Sequence, residues 1–227
     1  QFELRKWVTN DKKLQSLIDE KENNIILQNC ESRKVLGLHW FTEKDSLEFD
    51  FNAILKLAEE LPLTKRNILK ISAMFYDPLG MISPITLQSK LIFHDICLNK
   101  YNWDTTLKPN HIEAWSKFIK GLKLLKRISV ARHELCKCGN REVELHGFSD
   151  SSGEAYCACI YILNRCSRGT TVALLTSKCR LVPLKSFTIP RLELLACVLL
   201  SNLLISVLKA LKGEVKVTAM FCWSDSM

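Results

Sequence analysis

Three carboxylates stand where the surrounding sequence is otherwise apolar: Asp150 in GFSDSSGEAY, Glu193 in TIPRLELLA and Asp225 in FCWSDS. A charge in such a setting is costly unless it is paired, hydrogen-bonded or bound to metal. Brought together, three carboxylates repel one another, and a divalent cation removes the repulsion. Hard oxygen donors favour Mg or Mn over softer ions. Two such ions roughly 3.5 to 4 Å apart would activate a water and stabilise the leaving oxygen of a phosphodiester. Taken singly, Glu193 reads as a helix-start acid and Asp225 as a strand-end acid; their order and surroundings favour one shared site.

Those surroundings are basic. The chain carries a net charge of +8 with a pI near 9, a balance that favours polyanionic partners. From Ala155 to Leu192 there is no Asp or Glu, while Arg165, Arg168, Lys178, Arg180, Lys185 and Arg191 all fall there. Lys178, Arg180, Lys185 and Arg191 are the candidate contacts to a nucleic-acid backbone. The ten cysteines need not be staples in a chain this apolar and read as reduced thiols of an intracellular protein. One cluster, His133, Cys136, Cys138 and His146, invites a zinc reading, but its C-x-C spacing departs from that of most zinc sites. A polar loop is the expectation there.

The elements that must position the three acids follow from periodicity. At 227 residues, with 47% apolar and 25% charged, the chain makes one large domain or two modest ones and has a real core. Residues 11–23 predict a short amphipathic helix. Two period-two runs, Lys34 to Trp40 and Leu47 to Phe51, predict a hairpin. The period then becomes helical: Lys65 to Phe75, stopped by Asp77-Pro78-Leu79-Gly80; Ser83 to about Lys100, apolar on most sides; and a helix opened by Asn110 with the buried stripe Trp115, Phe118, Ile119, Leu122 and Leu125. His94 and His111 lie on these helices without an evident chemical role. Ser129 to Asn140 reads as a polar boundary. Beyond it the order is three antiparallel strands (143–148, 155–163, 170–177), a long helix from Thr188 to about Lys212, and a fourth strand, 215–223. A helical crossover lets that strand return parallel to the first, which sets Asp150 and Asp225 at neighbouring strand ends with Glu193 one turn into the helix. Leu192 to Leu208 contains Glu193, Ser201, Asn202 and Ser206, short of the ~18 uninterrupted apolar residues of a spanning helix.

FELRKW, VLGLHW, KRNILKISAMFYDPLGMISP followed by KYNWD, GFSDSSGEAYCACIY, TIPRLELLA and WSDS together resemble the reverse transcriptase to ribonuclease H portion of a BEL/Pao-type LTR retrotransposon Pol polyprotein. The resemblance implies an α+β multidomain fragment: residues 1–51 as the end of the polymerase palm, 52–135 as a helical thumb or connection region, and 136–227 as an incomplete ribonuclease H-like α/β domain. It implies that Asp150, Glu193 and Asp225 are metal-binding, catalytic carboxylates with Mg or Mn. It also implies metal-dependent cleavage of RNA in an RNA/DNA hybrid, with the remaining polymerase, integrase and protease domains as partners and no membrane. The location it implies is cytoplasmic, in a virus-like particle, and nuclear. The paired polymerase aspartates would precede Gln1 and the last ribonuclease H acid would follow Met227, so the fragment alone is expected to be inactive. The alternative is a catalytically inactive, nucleic-acid-binding remnant of a degenerate element.

Overall fold

The computed structural model describes residues 7–22, 33–35, 38–125, 127–132, 141–183 and 187–225. The chain forms two compact units, Gln1–Ala53 with Leu125–His133, and Ile54–Leu124 with Glu134–Met227.

The first unit holds helix α1 (Lys12–Glu22) and the strands β1 (Arg33–Val35), β2 (Leu38–Phe41), β3 (Ser46–Asp50) and, from much later in the chain, β4 (Arg127–Ala131). Asp11 opens α1 by accepting hydrogen bonds from the Lys13 and Leu14 amides at 2.9 and 3.0 Å, the usual N-cap arrangement. The strands form one antiparallel sheet in the order β1-β2-β3-β4. The hairpin expected from the two alternating runs is β2–β3. The first run is itself divided, however, since Val35 pairs with Leu38 and β1 and β2 are separate strands. The segment read as the end of the helical region and a polar boundary contains β4, paired from Asp50↔Arg127 to Ser46↔Ala131. Ile128 and Val130 are its two large apolar positions, too few to register as a period; the long-range partner defines the strand.

The β2–β3 turn is held by one carboxylate. Asp45, at φ 46°, accepts from Trp40 Nε1 at 2.8 Å and from Arg132 Nε at 2.6 Å, and its carbonyl accepts from the Arg132 amide at 2.8 Å. Arg132 also lies over the Trp40 ring at 4.7 Å. Burial alone would raise the Asp45 pKa, but the hydrogen bonds from Arg132, Trp40 and Asn10 outweigh it and hold the group below its ordinary value.

The second unit begins with a helical layer: most of α2 (Asn52–Glu60), then α3 (Lys65–Ser72), α4 (Ser83–Leu98) and α5 (Pro109–Leu125). On α5 the stripe Trp115, Phe118, Ile119 and Leu122 is buried as expected, while Leu125 is exposed. Helix α4, expected to be apolar on most sides, buries mainly small polar positions. Its buried positions are Ser83, Thr86, Ser89 and Ile96, and Thr86 and Ser89 return their hydroxyls to carbonyls one turn back, at 3.2 and 2.9 Å. Small hydroxyl residues on this face let the helix approach its neighbours closely. His111 is buried, with Nε2 2.8 Å from Asp95 and Nδ1 3.2 Å from the Tyr101 hydroxyl, so it ties the end of α4 to the start of α5. His94 Nε2 is buried without a hydrogen-bond partner among the described residues.

The sheet of this unit is built from β5 (Arg141–Ser151), β6 (Ala155–Cys166), β7 (Gly169–Leu181) and β8 (Ala219–Ser224), with α6 (Ile189–Leu211) between β7 and β8. Its order is β7-β6-β5-β8, antiparallel except for the parallel β5–β8 pair. This is the three strands, helix and returning strand read from the sequence, with β5, β6 and β7 longer than expected and β8 shorter. By length and a mean hydropathy of 2.2 alone, α6 is apolar enough to cross a membrane. In this fold Leu192, Ala196, Leu199, Leu200, Leu204 and Val207 of α6 bury against Val143, Leu145, Ile160 and Ile162 of the sheet.

Asp45→Asn should destabilise the first unit by about 1.5–3 kcal/mol, the range for hydrogen bonds to charged groups, measured by amide exchange at β2 and β3. Because the folded-state pKa of Asp45 is depressed, its contribution is fully present above the unfolded carboxylate pKa of 3.8. It is lost as pH falls through the lowered folded value; a wild-type to variant gap that persisted there would contradict the assignment.

Candidate functional site

The parallel pairing of β5 and β8 runs from Glu144↔Ala219 to Ser149↔Ser224, so the next residues on the two strands are Asp150 and Asp225. Side chains alternate along a strand. Val143, Leu145 and Ser149 are buried on the side that α6 covers, and Asp150 and Asp225 fall to the other side and are exposed. Their neighbours on that side are aromatic: Phe148 and Trp223 stack at 6.3 Å and 15°, and His146 and Phe221 at 5.0 Å and 22°. Asp150 Oδ1 accepts from the Ser151 amide at 2.6 Å.

Helix α6 runs opposite to β5. A Cβ on Gly147 would lie 2.6 Å from Leu200 Cδ1, so the helix packs against bare backbone there. Three residues earlier on α6, Cys197 Sγ is 3.6 Å from Ser149 Oγ and 4.0 Å from Ser224 Oγ. Glu193 lies one further turn toward the helix start, on the same face and at the strand ends that carry the two aspartates. It is half-buried.

Asp150 and Asp225 line one cavity of about 780 Å³, shared with Phe148, Trp223, Cys157 and Cys179 of the sheet and with the start of α4 at Gly80, Met81 and Ser83. Glu193 is not among the lining residues. Among the described residues no group of three His, Cys, Asp or Glu side chains is arranged to hold a metal ion. Two adjacent carboxylates nonetheless fit Mg or Mn chemically, since Mg is commonly held by one or two carboxylates with the remaining positions left to water and substrate phosphate.

The far wall of the cavity is the turn before α4, read from the sequence as a helix stop. The Asp77 carboxylate accepts from the Met81 and Ile82 amides at 2.8 and 2.9 Å. The turn docks on β7: the Ser177 amide and the Thr176 hydroxyl both donate to the Leu79 carbonyl at 2.8 Å, and the Ser177 hydroxyl donates to the Gly80 carbonyl. Docking falls beside a β-bulge, where Ile160 pairs with Thr176 but Tyr161 pairs with Leu174; the extra residue bends β7 toward the turn.

Within the cavity Cys157 and Cys179 oppose each other across β6 and β7. The hydrogen bond that Cys157 donates to Cys179 pushes the Cys157 thiol far up, reinforced by burial and by the negative charges of Cys179 and Asp150. The same hydrogen bond brings Cys179 down to about 7, against the effect of burial and helped by Ser83 and Lys90. Sequence reading missed this pair, because only the register of two long strands puts the residues face to face.

The candidate backbone contacts fall elsewhere. Lys178 and Arg180 belong to the α6 side of β7 and line a second cavity, of about 230 Å³, with Asn202 and Ser206. Arg191 is exposed with its guanidinium 5.4 Å from the Phe187 ring. Lys185 lies outside the described residues, as do His133, Cys136 and Cys138. His146, the other member of the suspected zinc cluster, has Nε2 3.0 Å from Glu144, and that contact, with Arg165, holds the Glu144 carboxyl below its ordinary pKa although burial opposes it.

Residues 64–226 match the family model of the Pao retrotransposon-like RNaseH-like domain. The chain belongs to this family. Over those residues it carries a retrotransposon-like, RNaseH-like domain. No curated protein matches it. Among solved structures it is similar to "Structure of the foamy viral protease-reverse transcriptase dRH in complex with ds DNA", at 12% identity and a TM-score of 0.47, over 85% of this chain and 30% of that one. The chain thus spans under a third of that protein's length.

Gly80 has φ 75°, and a Cβ there would lie 2.0 Å from the Ser177 carbonyl oxygen. Gly80→Ala should therefore cost about 2 kcal/mol or more through strain and overpacking. Gly121→Ala, mid-helix on α5 with open space around it, should gain about 0.5–1 kcal/mol. Thermal denaturation of the two variants checks both signs.

Proposed function

We propose that this chain contributes the metal-binding ribonuclease H centre of a retrotransposon polyprotein, which cuts the RNA strand of an RNA/DNA hybrid during reverse transcription. The observation that supports it is the parallel register that sets Asp150 beside Asp225 on one cavity, in a chain of this family. Asp150 and Asp225 would hold Mg or Mn through their carboxylates, with Glu193 entering from α6. When bound, the cation supplies Lewis acidity toward a phosphodiester and lowers the pKa of its water. Asp150 and Asp225 would balance the cation's charge, with Phe148 and Trp223 beside them on the same side of the sheet. Lys178, Arg180, Lys185 and Arg191 serve as backbone contacts. On the same reading residues 1–51 end the polymerase palm, 52–135 form a thumb or connection region, and the protein works in cytoplasmic particles and in the nucleus beside the other Pol domains.

A second reading, a nucleic-acid-binding remnant without catalytic activity, is favoured by one observation: Glu193 does not line the cavity of the two aspartates. Cleavage separates the two. With the chain in its parent polyprotein, labelled RNA paired to DNA should be cut in Mg or Mn. Asp150→Asn should slow the cut by at least about a hundredfold, since the metal's contribution is worth several kcal/mol. An uncut hybrid with the wild-type sequence sinks the nuclease reading for this copy.

Binding gives an independent check on the basic residues. Replacing Lys178 and Arg180 by Ala should weaken hybrid binding across sequences and reduce the slope of log affinity against log salt by about one for each cation removed. An unchanged slope removes these two residues from the interface.

A further inference from the structure

We infer that Cys157 and Cys179 form a peroxide-responsive dithiol, a modification site distinct from the carboxylate pair, which closes to a disulfide between β6 and β7. The two residues are directly opposed in the ladder, both are half-buried free thiols, and both line the cavity of about 780 Å³, which gives a small oxidant access. Directly opposed side chains in an antiparallel pair have Cβ atoms about 4.5–5.5 Å apart, and a disulfide needs about 3.5–4.5 Å, so a small strand adjustment suffices.

Four other described cysteines are placed differently. Cys159 is opposed by Ser177 and Cys166 by Gly169, Cys197 contacts the hydroxyls of Ser149 and Ser224, and Cys222 is exposed. Cys157 is the ladder partner of Asp150 while Cys179 lies one strand further from that carboxylate, so the Cys179 sulfur reacts first. That sulfur attacks one peroxide oxygen, the O–O bond breaks, and hydroxide leaves, giving a sulfenic acid on Cys179. The Cys157 sulfur then attacks the sulfenyl sulfur, the S–O bond breaks, and water leaves with the thiol proton. In total two thiols and one hydrogen peroxide give one disulfide and two waters. The inference does not depend on nuclease activity.

The test is peptide mapping. The folded chain is treated with hydrogen peroxide, remaining thiols are blocked with N-ethylmaleimide, and fragmentation distinguishes Cys157 from Cys159. Expected is a Cys157–Cys179 cross-link, reversed by dithiothreitol, forming at least about tenfold faster than Cys159 and Cys197 lose alkylation, since oxidation follows thiolate character and access. In Cys157→Ser, Cys179 should stop at a sulfenic acid that dimedone traps. Cross-linking of Cys179 to another cysteine, or full alkylation of both residues at a dose that oxidises the rest, overturns the proposal. The wild-type map decides by itself if the variant does not fold.

Discussion

The second unit depends on a backbone-to-backbone contact. The turn before α4 lies so close to β7 that its residue 80 has no room for a side chain, and the amide and hydroxyl of Ser177 and the hydroxyl of Thr176 take up its carbonyls. Carbonyls pressed onto β7 in this way would otherwise be left unpaired at a cost comparable to the hydrogen bonds themselves. Satisfying them on β7 fixes the start of α4 over the open side of the sheet. The cavity that holds Asp150, Asp225 and the thiol pair exists because that wall is in place.

The opposite side of the sheet obeys a different constraint. Helix α6 approaches β5 at Gly147, where a methyl group would overlap Leu200, and its leucines bury against Val143, Leu145, Ile160 and Ile162. Close packing over this length sets the height of α6 along the strands, and with it the level of Glu193. The crossover also fixes the hand and direction of β8, so the register of β8 on β5 places the second aspartate. Carboxylate placement is thus a consequence of hydrophobic packing on the side of the sheet that carries neither Asp150 nor Asp225.

Much of this was legible in the residues. Alternation marked β5, β6 and β7, Thr188-Ile-Pro190 marked the start of α6, and the stripe from Trp115 to Leu122 marked α5, because long elements repeat their period enough times to be read. Short or long-range elements were not. β4 has two apolar positions and a partner far away in the chain, β1 and β2 form one alternating run until it folds back, and α4 hides a small hydroxyl face beneath an apolar surface pattern.

The sequence by itself determined which residues are exceptional, the three acids and the DPLG turn, and the order of strands and helix that brings Asp150 and Asp225 to neighbouring strand ends. Chain order and period are local properties, so one dimension carries them. The tertiary structure decided which groups share a side of the sheet: Asp150 and Asp225 with the cysteines, Lys178 and Arg180 with α6, and Glu193 one turn beyond Cys197. That division depends on ladder register and on a bulge at Ile160 and Tyr161, and a shift of one residue exchanges the two sides of a strand.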